Sequence, residues 1–298
     1  MSWQVSLPCT REEGERLSGE VEAFADMDAP PVLVVSEEAP ERWRLDAFFE
    51  SKPDAAMLRQ VAALVPSAGR ARLKASPVAE QDWVTLSQAG LEPVRAGRFF
   101  VHTPAYREAV PAGAVAFEIE AGLAFGTGQH ETTTGCLMAL DRLKREGFVA
   151  RNLVDVGTGT GLLAFAGLHL WPRARATASD IDPISIDVTR ENAGVNKVAL
   201  GAGPGRLDSA VAAGLDHPKL RRRAPYDLIV ANILAGPLIE LAPSLAPVLV
   251  PGGRLILAGL LDTQAPRVIR AYRREGLRWS FTIQRGEWPT LVLRRPRS

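Results

Sequence analysis

The sequence is poor in the residues that staple or metallate small folds. It holds two cysteines, Cys9 and Cys136, and four histidines, His102, His130, His169 and His217. Two widely separated thiols do not make a disulfide framework and suit a reduced compartment. The histidines cluster neither with one another nor with both cysteines, so no zinc or other metal is expected. Also missing is an uncharged apolar run approaching the roughly 18 residues of a membrane-spanning helix. The opening MSWQVSLPCTREEGE lacks a basic flank leading into an apolar export core, so a cytoplasmic protein with no membrane role is expected. Net charge is small: 35 basic against 34 acidic residues leave +1, which supplies no broad attraction for nucleic acid. The basic stretch Lys219, Arg221, Arg222 and Arg223 is local. It reads first as a solvated loop and second as a surface for RNA or an acidic partner.

What is present is enough apolar sequence for two domains: 298 residues, 46% hydrophobic. Residues 1–75 read as a small alternating domain. Trp3 to Leu7 is a strand, and Thr10 with Glu13 forms a capping box for a helix carrying Leu17, Val21 and Phe24 on one face. Pro31 to Val35 and Arg42 to Phe49 read as extended. Met57, Leu58, Val61, Leu64 and Val65 make a helical stripe, and Ala71 to Ala75 is the last expected strand. The order β-α-β-β-α-β is ferredoxin-like, with both helices on one face of an antiparallel sheet. No phosphate loop or catalytic constellation occurs there, which suits partner recognition or a structural cap.

Residues 76–117 read as an irregular join, with a short helix at Glu80 to Leu86 and breaks at Glu92-Pro93 and Pro111-Ala112-Gly113. From residue 118 to 298, helical stripes alternate with apolar strands at Leu153 to Val156, Ala174 to Ser179, Tyr226 to Ala231 and Arg254 to Ala258. That alternation predicts an α/β, Rossmann-like domain with a mainly parallel sheet covered on both sides. Leu277 to Gln284 and Thr290 to Arg294, separated by Gly286 and Pro289, read as a terminal antiparallel pair at the sheet edge.

Chemistry concentrates in LVDVGTGTG, residues 153–161, where a strand runs into Gly157, Gly159 and Gly161 just before a helix N-terminus. Alone, such a loop could hold a nicotinamide or flavin dinucleotide. Asp180, 23 residues after Gly157, stands at the expected end of the next strand and could accept both hydroxyls of a ribose, which suits either cofactor class. Asp182 before Pro183 is the better helix cap. Asp155 discriminates. A carboxylate ahead of the glycines suits the cationic amino-acid end of S-adenosyl-L-methionine (AdoMet), by contact, through water or by ordering the loop, and would repel a pyrophosphate. The spacing Asp-x-Gly-x-Gly-x-Gly therefore favours methyl transfer over oxidation.

Two further patches complete the candidate site. In GLAFGTGQHETTTGC, residues 122–136, three glycines punctuate a loop that could fold over the cofactor. Phe125 would form an apolar wall or part of the core, Thr133 a polar contact, and Thr132 to Thr134 a helix start. In DLIVANILAGP, residues 227–237, the strand ends in Asn232. That position would face the ligand crevice, with the amide oxygen able to hold a substrate N–H; a structural asparagine closing the turn is the other reading.

Taken in order, GLAFGTGQHETTTGC, DVGTGTGLLAFA, DIDPISIDVTRENAGVN, ANILAGPLIELAP and PGGRLILAGLLDTQ resemble the bacterial methyltransferases that modify protein eleven of the large ribosomal subunit. The resemblance covers most of residues 118–264. It implies a class I AdoMet-dependent methyltransferase domain that methylates lysine ε-amino and N-terminal α-amino groups of free ribosomal protein eleven. It also implies a small N-terminal domain that recognises that protein, and no direct need for nucleic acid; a monomer is expected. By resemblance Thr133, Gly157, Asp180 and Asn232 contact AdoMet or its surroundings. Glu131 stands where the family often has proline, and Gly157-Thr158-Gly159-Thr160-Gly161 where it has a cysteine-glycine-serine variant. Ser87-Gln88-Ala89-Gly90-Leu91 replaces a lysine and aromatic residues common in the family's join.

Overall fold

Alternation in the first strand sorts its side chains. In β1 (Ser2–Cys9), Val5, Leu7 and Cys9 are buried while Ser6 and Pro8 face out. In this computed structural model, residues 2–17, 31–39, 42–49, 51–69, 73–78, 93–119 and 129–297 are described. The chain divides into two compact units, residues 1–89 and 90–298.

In the first unit β1 is followed by α1 (Arg11–Leu17), β2 (Val32–Ala39), β3 (Arg42–Phe49), α2 (Ala55–Leu64) and β4 (Ser76–Val78). The strands form one antiparallel sheet in the order β2-β3-β1-β4, the expected ferredoxin-like arrangement. Leu17 of α1, with Val61 and Val65 of the second helical stripe, joins Val5, Leu7, Leu45, Ala47 and Phe49 in one apolar cluster. The capping box forms. Glu13 N donates to Thr10 Oγ1 at 3.2 Å, and Thr10 N donates to Glu13 Oε2 at 2.9 Å. Ser67 also donates to Glu13, through its backbone N at 2.9 Å and through its hydroxyl, tying α1 to a 3-10 turn at Pro66–Ala68. Burial would raise the Glu13 carboxyl, but these donors outweigh it and lower the pKa to about 2.

The last strand of this sheet begins at Ser76, opposite Gln4 of β1; of the expected segment Ala71 to Ala75, Leu73 to Ala75 is not strand, and Ala71 and Arg72 lie outside the described residues. Apolar and polar residues alternate on both sides of residue 75, so pattern alone does not set the start; pairing with β1 does. The segment 76–117 is therefore not a join throughout. β4 completes the first sheet, and β5 (Val94–Ala96), β6 (Phe99–His102) and β7 (Val115–Glu118) form a three-stranded sheet within the second unit. Val21, Phe24, the expected helix at Glu80 to Leu86 and Ser87 to Leu91 lie outside the described residues.

The second unit continues with α3 (Gln129–Arg145), β8 (Asn152–Val156), α4 (Leu162–Leu170), β9 (Arg175–Asp180), α5 (Pro183–Val195) and β10 (Arg206–Val211). Next come α6 (Pro218–Arg223), β11 (Tyr226–Asn232), α7 (Ala235–Leu245), β12 (Leu249–Ala258), α8 (Ala265–Arg274), β13 (Arg278–Arg285) and β14 (Trp288–Arg294). Seven strands make one sheet in the order β10-β9-β8-β11-β12-β14-β13. It is parallel from β10 to β12 and antiparallel at β14 and β13.

The middle strands are apolar on both faces because both are covered. Leu153, Leu228, Val230 and Ile256 enter one cluster; Val154, Val156, Ile229, Ala231, Leu255 and Leu257 enter the other. Helix α4, apolar nearly all round, buries every residue except His169. The terminal pair falls at the sheet edge as expected, with β14 wedged beside β12 so that β13 becomes the rim. That reversal departs from the wholly parallel order of dinucleotide-binding folds. Among the described residues no helix is long and apolar enough to cross a membrane, and no group of three or more candidate ligands could hold a metal ion.

Candidate functional site

At the carboxyl end of β8 the chain turns through Gly157, Gly159 and Gly161, whose φ values are +69°, +53° and +86°. These left-handed conformations strain any residue bearing a Cβ. A Cβ on Gly157 would also stand 2.2 Å from Ile233 Cγ2, so the turn packs directly against the chain leaving β11. At Gly159 the space beyond the backbone is open, which leaves room for a ligand to approach the main chain.

Two carboxylates hold this turn. Asp180, at the end of β9, accepts from Gly159 N through Oδ2 at 2.9 Å and from Asp182 N through Oδ1 at 3.1 Å. Asp155 is 1% exposed; its Oδ2 accepts from Thr158 Oγ1 at 2.8 Å and from Ala164 N at 3.2 Å. Asp155 thus joins the turn to the first residues of α4. Burial raises its carboxyl to about 7, against the lowering effect of the Thr158 and Ala164 hydrogen bonds; the nearby charge of Asp180 adds to the rise. The helix cap expected at Asp182 forms, with Oδ1 accepting from Ile184 N at 2.9 Å ahead of Pro183.

Thr189 and Asn192 of α5 fasten the same loop, and Asn196 just past the helix ties it to β7, a set of residues that the sequence reading missed. Thr189 Oγ1 donates to Gly159 O at 2.9 Å, Asn192 Nδ2 to Thr160 O at 3.1 Å, and Asn196 Nδ2 to Glu118 O at 2.7 Å. Their spacing in DVTRENAGVN places three polar residues on one helical face, a signal visible in principle. Ser179 O accepts from both Gly157 N and Thr158 N, binding β9 to the turn.

Across the crevice, β11 ends at Asn232, half-buried. Its Nδ2 donates to Thr133 Oγ1 of α3 at 3.3 Å, and its Oδ1 takes no donor from the described residues. Thr133 lies inside the helix, because α3 begins at Gln129 and not at the threonines; Glu131 occupies its first turn and pairs with Arg285 at 2.8 Å. Phe125 and the glycines Gly122, Gly126 and Gly128 lie outside the described residues, as does the side chain of His130. The structure therefore gathers Asp155, the three glycines and Asp180 in one loop system, with Thr133 and Asn232 as a bonded pair at the neighbouring strand end.

The donor set suits AdoMet. Each Asp180 oxygen holds one backbone N–H and keeps lone pairs for a ribose diol. The adjoining Ile181, 72% exposed, offers an apolar face to an adenine. Asp155 Oδ1 is buried without a hydrogen-bond partner among the described residues, an acceptor suited to a cation and hostile to a pyrophosphate.

Comparison with known proteins points to a methyltransferase family. The family model described as ribosomal protein L11 methyltransferase (PrmA) matches residues 3–296. A protein of that name from Brucella suis (strain ATCC 23445 / NCTC 10510) is 41% identical over 285 residues, covering 95% of this chain and 96% of its own. Another, from Chelativorans sp. (strain BNC1), is 46% identical over 238 residues, covering 80% and 79%. The crystal structure of a ribosomal protein L11 methylase from Lactobacillus delbrueckii subsp. bulgaricus superposes with a TM-score of 0.58 at 25% identity, covering 69% of this chain and 98% of that one. With a matching family model over almost its whole length and relatives this close, the chain belongs to the ribosomal protein L11 methyltransferase family.

Proposed function

We propose that this chain transfers methyl groups from AdoMet to lysine ε-amino and N-terminal α-amino groups of ribosomal protein L11. The observation that carries the proposal is the Asp-x-Gly-x-Gly-x-Gly turn locked by Asp180, facing a strand end whose Asn232 amide oxygen is free to receive an amine. It acts on L11 before ribosome assembly, as a cytoplasmic monomer, with residues 1–75 recognising L11. A dehydrogenase reading is disfavoured by the buried Asp155 beside the loop and by the antiparallel β14.

AdoMet supplies, when bound, a methyl group already activated on a sulfonium centre. The residues then have three tasks. The Gly157–Gly161 turn and Asp155 receive the amino-acid end, and Asp180 accepts the ribose hydroxyls. Asn232 Oδ1 accepts an N–H of the incoming amine and so aims its lone pair, while Thr133 holds the Asn232 amide plane. A lysine amine, with an ordinary pKa near 10.4, must be neutral to react. Desolvation as it enters the crevice favours the neutral form, so no strong side-chain base is needed.

The test is transfer of isotopically labelled methyl from AdoMet to free L11 and, separately, to assembled large subunits. Label in free L11 is expected. Label only in assembled subunits would reject the free-substrate claim, and label in neither, with donor binding verified, would reject the function.

A further inference from the structure

The strands that carry the donor site at their carboxyl ends carry arginines at the other. Arg206 of β10 lies opposite Arg175 of β9, which lies opposite Asn152 of β8, itself preceded by Arg151. Adjacent strands are about 4.8 Å apart, so these starts form a row across the amino end of the sheet. Below it is a cleft of about 510 Å³ lined by Arg151, Asn152, Arg173, Arg175, Arg222 and Arg223, five guanidinium groups and one amide.

The floor of this cleft is built. Asn152 Nδ2 donates to Arg223 O at 2.6 Å and to Pro225 O at 2.8 Å. The backbone N–H groups of Arg151 and Asn152 both donate to Asp227 Oδ2, at 2.9 and 2.8 Å, which engages one oxygen of that carboxylate. Asp208, the other nearby acid, is engaged by Lys219 at 2.9 Å and Arg223 at 3.3 Å. Arg151, Arg173, Arg175 and Arg222 make no ion pair among the described residues. Arg223 has a side chain only 11% exposed, and its Nη1 is buried without a hydrogen-bond partner among the described residues.

Positive charge continues along the sheet. One residue further in, Arg254 of β12 lies opposite Arg294 of β14, and Arg294 opposite Arg278 of β13. Burial lowers the Arg254 pKa, and the like charges of Arg294 and Arg297 lower it further, with Glu146 acting the other way. Apart from Lys219 and Arg223, which share Asp208, the arginines of the cleft are thus crowded rather than neutralised in pairs.

We propose that this amino-terminal end of the sheet is a second binding site, for the phosphodiester backbone of a nucleic acid. Three features choose that ligand class. Guanidinium forks match phosphate oxygens. The row extends over several strands, longer than one free phosphate requires. The cleft lining has no aliphatic or aromatic side chain to anchor an acidic peptide, so recognition would be of the backbone and independent of base sequence. The site is separate from the donor crevice, at the opposite ends of the same strands, and does not depend on the methyl-transfer reading.

The test is fluorescence anisotropy with a labelled single-stranded RNA oligonucleotide of mixed sequence. It compares the wild-type chain with an Arg173→Glu/Arg175→Glu/Arg222→Glu variant, all three side chains being exposed. The wild type should bind with an affinity falling steeply with salt, the logarithmic slope being about −3 for four phosphate contacts on a single strand. The variant should bind about tenfold or more weakly, with a slope shallower by about 2. Its AdoMet affinity should match the wild type, which verifies the fold. Inorganic phosphate and polyglutamate of equal charge should compete poorly. Unchanged RNA binding in the variant, no binding at low salt, or competition by polyglutamate as effective as by RNA would each overturn the proposal.

Discussion

The two ends of the Asn232 amide differ: the nitrogen donates to Thr133, and the oxygen, which takes no donor from the described residues, is the end proposed to receive the substrate amine. Asn232→Ala should lower single-turnover methyl transfer about 100-fold while donor affinity changes little; equal rates would remove Asn232 from the reaction. Thr133→Val should lower the rate less, about tenfold, by releasing the amide plane, again with unchanged donor affinity. Asp180→Ala is expected to behave oppositely. It removes the proposed ribose acceptor and the clamp on Gly159 together, so AdoMet affinity by calorimetry should fall roughly 100-fold or more. An unaltered affinity would reject the assignment.

At the scale of the element, the turn after β8 is held by a buried acid, and that makes it responsive to pH. The Asp155 pKa of about 7 is raised above the unfolded carboxyl value. The stability contributed by the protonated form is therefore fully present below the unfolded pKa, about 3.9, and is lost as pH rises through about 7. A cationic ammonium favours the ionised form, with Asp180 opposing it and buried Cys136 nearby. AdoMet should therefore bind more tightly as pH rises from about 6 to about 8, and Asp155→Asn should flatten that dependence. A wild-type affinity independent of pH over this range would contradict it.

The same element was legible in the sequence because its chemistry is local: glycines, a strand before them, an acid after the next strand. β10 and the β5-β6-β7 sheet were not legible. β10 reads RLDSAV, with polar residues at alternate and non-alternate places, and is a strand because β9 pairs with it. The role of α5 was hidden because Thr189, Asn192 and Asn196 bond to carbonyls far along the chain, which only the fold brings near.

At the scale of the whole molecule, the apolar clusters follow the division into units. One cluster lies within residues 1–89, and the other two cover opposite faces of the seven-stranded sheet. Length and apolar content pointed to two domains, and the chain divides into two units, the larger holding the glycine turn proposed to receive the donor. The expected boundary at residue 75 fell short because β4 is recruited by pairing with β1, which no local pattern marks. Leu45→Ala, emptying a fully buried position of the first cluster, should cost about 3 kcal/mol of that unit's stability. If this unit recognises L11, methylation should weaken while AdoMet affinity stays constant; a parallel loss of both would contradict separate roles.

The measurement closest to the central claim is peptide mass spectrometry of L11 after incubation with the purified chain and saturating AdoMet. Methyl increments on lysine side chains or the N-terminal amine are predicted, with Asn232→Ala greatly slowing their appearance. Unmodified L11 in the presence of verified donor binding, or methyl groups placed on carboxylates or hydroxyls, would contradict it.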